Sequence, residues 1–75
     1  MGKKLPMLKA RDIMRVLRLL GFSAVRQSGS HIFFQHSDGR TTLVPRHGSE
    51  DIGRGLLRQI LREIKLAPEE FAEYL

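Results

Sequence analysis

The dipeptide Asp38-Gly39 stands between two short runs of strand-forming residues, His31–His36 and Thr41–Val44. Asp-Gly is the strongest short-range signal for a two-residue β-hairpin, because glycine readily takes the positive φ that the turn requires. A third run, Phe22–Ser28, precedes them and is separated from His31 by Gly29-Ser30. The sequence therefore predicts three consecutive antiparallel strands joined by two tight turns.

Two amphipathic helices flank the predicted sheet. Residues 10–20 and 55–65 carry apolar side chains at helical spacing, and Gly21 is placed to end the first helix. Pro68-Glu69-Glu70 opens a short last helix, because proline suits the first helical position and acids suit the first turn. The resulting order is αβββα, an α+β domain whose two main helices cover one face of the sheet. Double-stranded-RNA-binding domains have the same order.

The length of 75 residues accommodates one domain with one core, spanning 1–75. We expect residues 1–8 to form a flexible arm and residues 46–55 a loop. The chain has no cysteine, which excludes disulfides and thiolate metal sites. No apolar run approaches the roughly 20 residues of a membrane span, and the basic start lacks the apolar stretch of a secretory signal. These features predict a cytoplasmic protein without membrane contact.

Positive charge dominates the body of the chain. Thirteen Lys and Arg against eight Asp and Glu give a net charge of +5. Three of the acids, Glu69, Glu70 and Glu73, lie in the last eight residues, so the rest of the domain is more basic than the total indicates. A basic surface of this kind predicts a polyanionic partner such as nucleic acid. The alternative is that the charges only keep a small protein in solution.

Gly29-Ser30-His31 is the strongest candidate for chemistry. If Ile32 and Phe34 face the helices, strand alternation places His31 and Phe33 on the open face of the sheet. Histidine exchanges protons near neutral pH, and RNA carries its own nucleophile, the 2′-hydroxyl, beside each phosphodiester. One histidine and a few cations therefore suffice for RNA cleavage. The alternative is a turn followed by a strand histidine of no special role.

Several further residues are candidates for holding RNA. Gly29 lets the backbone approach a ligand, Ser30 can donate to a phosphate, and Phe33 can stack on a base. Arg26 and Arg46 can hold phosphates.

Two more candidates lie after the third strand. His47, in Pro45-Arg46-His47, is either a second acid/base group, a phosphate ligand or a loop histidine bonded to the backbone. Arg54 lies in Gly53-Arg54-Gly55, where a helix N-terminus can bind an anion, unless Gly55 is simply the N-cap.

No cofactor or metal is expected from these residues. His31 and His36 fall on opposite faces of the predicted strand, and the chain offers no thiolate to complete a zinc site.

The ordered set of these motifs resembles the HicA-type toxins, the YcfA-like family of bacterial and archaeal toxin–antitoxin pairs. The resemblance covers about residues 8–71 and rests on six segments: Leu19-Leu20-Gly21-Phe22, Gly29-Ser30-His31, Asp38-Gly39, Pro45-Arg46-His47, Gly55 followed by Leu57-Arg58-x-Ile60-Leu61, and Pro68-Glu69-Glu70-Phe71. The chain departs from the family pattern at the start of the first helix, where Lys9-Ala10 replaces the usual Ser or Thr cap.

The resemblance implies an mRNA interferase, an endoribonuclease with a double-stranded-RNA-binding-like fold, whose key histidine is His31. We expect its reaction to need no metal, because one histidine and several arginines meet the minimum for RNA cleavage. It also implies a HicB-type antitoxin that blocks the RNA surface and through which the pair contacts operator DNA. Two other classes stay open on the residues: a non-catalytic RNA-binding module that uses the same face, and a protein-interaction domain whose open sheet face docks a partner.

Overall fold

A computed structural model describes residues 7–46 and 51–75 of the protein. In chain order the elements are β1 (Leu8–Lys9), α1 (Ala10–Leu19), β2 (Ser23–Ser28), β3 (His31–Gln35), β4 (Thr41–Pro45), β5 (Asp51–Ile52), α2 (Arg54–Ile64) and α3 (Pro68–Ala72). Strands β2, β3 and β4 form one antiparallel sheet in that order. This confirms the α+β class and the αβββα arrangement of a double-stranded-RNA-binding domain.

The first helix is capped at both ends by local hydrogen bonds. Lys9 offers no side-chain acceptor at the N-cap, but the carboxylate of Asp12 accepts from the Lys9 backbone N–H at 3.1 Å. At the other end the N–H of Gly21 donates to the Arg18 carbonyl at 3.1 Å, and the N–H of Phe22 to the Leu17 carbonyl at 2.9 Å. This is the Schellman pattern, and Gly21 supplies its left-handed residue with a φ of 97°. The predicted end of α1 is confirmed.

The core lies between the helices and one face of the sheet. Strand alternation directs Ile32 and Phe34 of β3 and Thr42 and Val44 of β4 inward. The side chains with the least exposure are Phe34, Phe71, Ile13, Leu17, Leu57, Ile60, Ile64, Val16 and Val44. The one buried polar side chain of the described residues, Thr42, donates its hydroxyl to the Glu63 carboxylate at 2.7 Å. The predicted inward face of β3 is therefore confirmed.

The hairpin between β3 and β4 has a three-residue loop, not the two-residue turn predicted from Asp38-Gly39. The N–H of His36 donates to the Arg40 carbonyl at 2.9 Å, and the N–H of Gly39 returns to the His36 carbonyl at 2.9 Å. Only Gly39, with a φ of 99°, takes a positive φ in this loop. A three-residue loop of this kind, a type I turn followed by a glycine with a positive φ, also fits the twist of the two strands. In this loop Asp38 does not have to take a positive φ.

Arg40 joins this hairpin to the end of α2. Its guanidinium donates to the carbonyl oxygen of Ile64, in the last turn of the helix, and to Asp38 at 2.7 Å. Together with the Thr42–Glu63 bond, this places the end of α2 beside the start of β4.

Two short strands outside the main sheet were not predicted. Leu8 pairs with Ile52 and Lys9 with Asp51, and the Lys9 ammonium lies 2.6 Å from the Asp51 carboxylate. The expected arm of residues 1–8 is therefore wrong at Leu8, and the expected loop of residues 46–55 is wrong from Asp51 onward. Helix α2 starts at Arg54 with Gly53 as its N-cap, so Gly55 is not the cap. None of the helices in the described ranges has the length and hydrophobicity to span a bilayer.

Candidate functional site

The sheet face opposite the helices carries three rows of side chains, which we call rungs. Each rung takes one residue from β2, β3 and β4 that lie opposite one another in the sheet. They are the histidine rung (Ser28, His31, Pro45), the stacking rung (Arg26, Phe33, Leu43) and the polar rung (Ser23, Gln35, Thr41). His31 and Gln35 are exposed and Phe33 is half-buried, whereas the intervening Ile32 and Phe34 are buried. This open face is the one that strand alternation predicted.

His31 is the first residue of β3 and directly follows a two-residue turn. Ser28 pairs with His31 across this turn, and Gly29 has a φ of 58° while Ser30 does not have a positive φ. A left-handed glycine at the first turn position matches a type II′ turn, which is one of the two tight hairpins that fit strand twist. The Gly29-Ser30 turn therefore fixes the position of His31 at the start of β3.

A backbone hydrogen bond joins the same turn to the end of β4. The backbone N–H of Arg46, directly after β4, donates to the Ser30 carbonyl with an N–O distance of 2.6 Å. His31 pairs with Pro45 in the neighbouring register position. The structure therefore brings Gly29, Ser30, His31 and Arg46 together at one end of the open face.

Arg26 and Phe33 form a stacked pair next to the histidine rung. They are cross-strand partners, and the guanidinium carbon lies 4.4 Å from the centroid of the phenyl ring. A β-bulge between Ala24 and Arg26 shifts the register of β2 at this point. Cation–π contacts of this kind contribute about 0.5–1 kcal/mol at exposed sites. The pair leaves a flat, positively charged surface one rung away from His31.

Arg54 stands apart from this cluster, in the helical layer. It is the first residue of α2 and is exposed. The last turn of the same helix is bonded to Arg40 and Thr42, on the helical side of the sheet.

The remaining histidines have different surroundings. His36 is half-buried, and its ring packs edge-on against Phe22 with centroids 5.1 Å apart. A side chain at Gly21 would come within 3.0 Å of the His36 ring, which explains the glycine. His47 lies outside the described residues. Within those residues no group of three His, Asp or Glu side chains is arranged to hold a metal ion.

The surroundings of Asp38 in the β3–β4 loop lower the pKa of its carboxyl. The backbone N–H of Arg40 donates to it, and this bond holds the pKa below its ordinary value of 3.8. The Arg40 guanidinium and the nearby His36 act in the same direction. This shift belongs to the β3–β4 loop and not to the histidine rung.

Two hollows adjoin Phe33, and neither is centred on His31. One of about 550 Å³ lies between Phe33, Leu43 and the β3–β4 loop. Another of about 290 Å³ lies between the stacking rung and the polar rung, with Arg26, Phe33, Gln35 and Thr41 in its wall.

The αβββα order with one uncovered sheet face places the protein among small domains of the double-stranded-RNA-binding type. The family described as "HicA toxin of bacterial toxin-antitoxin" matches residues 10–66. The chain therefore belongs to the HicA toxin family and is a toxin of a toxin–antitoxin system. A comparison with curated proteins returns no match.

Proposed function

We propose that this protein is an endoribonuclease toxin that cleaves mRNA without a metal ion, with His31 as its general acid/base. The observation that carries the proposal is the position of His31. It is exposed on the open sheet face, one rung from the Arg26–Phe33 pair and beside the Ser30–Arg46 bond. Membership in a toxin family favours an activity that harms the cell over a passive binding role.

The proposed reaction uses the nucleophile that RNA itself provides. The imidazole of His31 removes the proton from a 2′-hydroxyl, and the 2′ oxygen forms a bond to the adjacent phosphorus. The bond from phosphorus to the 5′ oxygen breaks, and the imidazolium returns the proton to that oxygen. The products are a 2′,3′-cyclic phosphate and a 5′-hydroxyl, with histidine in its starting state.

Cations of the domain would hold the phosphates of the RNA backbone. We assign this role to Arg26, Arg46 and Arg54, with the Ser30 hydroxyl and His47 as further phosphate contacts. Gly29 would let the RNA backbone pass close to the turn, and Phe33 would stack on a base. A HicB-type antitoxin would inhibit the toxin by covering the open face, and operator DNA would be contacted through that antitoxin.

The test is cleavage of a defined RNA by the purified protein in EDTA, with analysis of the product ends. We expect cleavage that leaves cyclic phosphates and 5′-hydroxyls, and a loss of at least about a hundredfold in His31→Ala, in the range of a general acid/base contribution. His36→Gln is the matched control, because it removes a histidine that packs in the helical layer.

Two results would contradict the proposal. Equal cleavage by wild type and His31→Ala, both correctly folded, would remove His31 from catalysis. RNA binding without turnover, weakened only slightly by His31→Ala, would instead support a non-catalytic RNA-binding module on the same face.

A further inference from the structure

The polar rung has no role in the proposed cleavage. Ser23, Gln35 and Thr41 are all exposed and lie side by side across the three strands. Gln35 follows His31 by four residues on the same strand, which corresponds to about 13 Å at the rise of a β-strand. The Gln35 amide has no hydrogen-bond partner in residues 7–46 and 51–75, so it can exchange its water for a ligand.

The polar rung and the stacking rung form two walls of one hollow. The hollow has a volume of about 290 Å³, and Arg26, Phe33, Gln35 and Thr41 line it. Val25, at the β2 bulge, adds an apolar rim and is 57% exposed. A planar cation on an aromatic ring therefore faces an amide and a hydroxyl across a shallow hollow.

These two walls match the two recognition surfaces of a nucleobase. A base has a flat π face that stacks on aromatic rings or on guanidinium planes, and an edge that carries donors and acceptors. The Arg26–Phe33 pair offers the plane. The Gln35 amide offers one donor group and one acceptor side by side, and the Thr41 hydroxyl can do either.

We propose that the hollow between the stacking rung and the polar rung binds one base of the RNA, and that Gln35 selects adenine there. A glutamine amide pairs in a bidentate manner with the adjacent donor and acceptor of adenine. The base belongs to a nucleotide near the cut, because the hollow begins one rung from His31. This inference rests on RNA being the ligand of the open face, as in the proposed function.

The first test is binding without cleavage, with His31→Ala as the background protein and single-stranded hexanucleotides of adenine, cytosine or uracil as ligands. We expect the adenine ligand to bind at least about fivefold more tightly than the other two, from one good bidentate contact. Gln35→Leu should abolish this difference. Gln59→Leu, on the exposed side of α2, is the matched control and should preserve it.

The second test maps cleavage positions in a pool of random RNA. We expect wild type to favour adenine at one fixed distance from the cut, and Gln35→Leu to cut as often without that preference. An unchanged profile in Gln35→Leu, or equal binding of the three ligands, would overturn the inference. If adenine preference depends on Gln35 in binding but wild type never cuts RNA, the base site stands and the proposed nuclease activity fails.

Discussion

The backbone N–H of Arg46 donates to the carbonyl of Ser30 at 2.6 Å, so the residue after β4 holds the turn that precedes His31. This bond continues the β3–β4 ladder past Pro45, the partner of His31. Hydrogen-bonded and non-hydrogen-bonded pairs alternate along an antiparallel ladder, and the Arg46 bond is the ladder contact next to the His31–Pro45 pair. The position of the proposed general acid/base therefore depends on a backbone group at the end of the neighbouring strand.

Two substitutions at Arg46 separate its backbone from its side chain. Arg46→Ala keeps the N–H and removes the proposed phosphate contact, so we expect a higher KM for RNA with little change in kcat. Arg46→Pro also removes the N–H, so we expect kcat to fall by about tenfold or more because His31 is less well positioned. Steady-state cleavage of a short RNA measures both. Identical kcat values in the two variants would contradict a positioning role for the bond.

Substitutions of Arg26 separate the contribution of stacking to RNA binding from the contribution of charge. Lysine keeps the charge but lacks the planar guanidinium that lies 4.4 Å from the Phe33 ring. We expect Arg26→Lys to bind RNA several-fold more weakly than wild type with an unchanged salt dependence. Arg26→Ala should bind more weakly still and lower the salt slope by about one. Arg11→Ala, on the exposed side of α1, is the charge-matched control, and a loss there equal to that of Arg26→Ala would argue for a diffuse charge effect.

The last helix contributes to the core although it lies outside the range of the family match, residues 10–66. Phe71 is 0% exposed, whereas Tyr74 in the same segment is 39% exposed. We expect Phe71→Ala to lower the free energy of unfolding by about 3–5 kcal/mol, as for large buried aromatic residues elsewhere. Tyr74→Ala should change it by less than about 1 kcal/mol. Urea denaturation of both variants tests this, and similar values for the two would show that α3 is not docked as described.

The lowered pKa of Asp38 predicts a pH-dependent contribution to stability. A carboxyl whose pKa is lower in the folded state stabilises the fold above its ordinary value of 3.8, and this contribution is lost as pH falls through the folded-state pKa. We therefore expect wild type to be more stable than Asp38→Asn at pH 7, with the difference disappearing between pH 4 and about pH 2. Thermal unfolding across this range measures it. A difference that stays constant down to pH 2 would mean that the Asp38 charge is not the cause.

Local patterns were sufficient to predict the main elements and the open face. The period-two alternation around Ile32 and Phe34 identified the buried face of β3, and with it the exposure of His31. The helix end at Gly21 followed from a single glycine after an apolar stripe. These features depend on neighbouring residues, which is why a sequence reveals them.

Contacts between residues that are distant in the chain could not be predicted from the sequence. The pairing of Leu8 with Ile52 joins two-residue strands from distant parts of the chain, and neither strand has a pattern long enough to be recognised. The half-buried position of His36 depends on its packing against Phe22, in the connection between α1 and β2. Gln35 was the missed candidate of the open face, although its spacing from His31 could have identified it.

Alternate residues of β3 face the solvent and the core, and this limits the insertions that the strand can accept. His31, Phe33 and Gln35 face outward, and Ile32 and Phe34 fill the core. Because a one-residue shift turns every following side chain to the other face, a single insertion within this strand would bury polar groups and expose phenyl rings at once. Length variation among related toxins should therefore fall in the hairpin loops, while the five-residue strand keeps a fixed length.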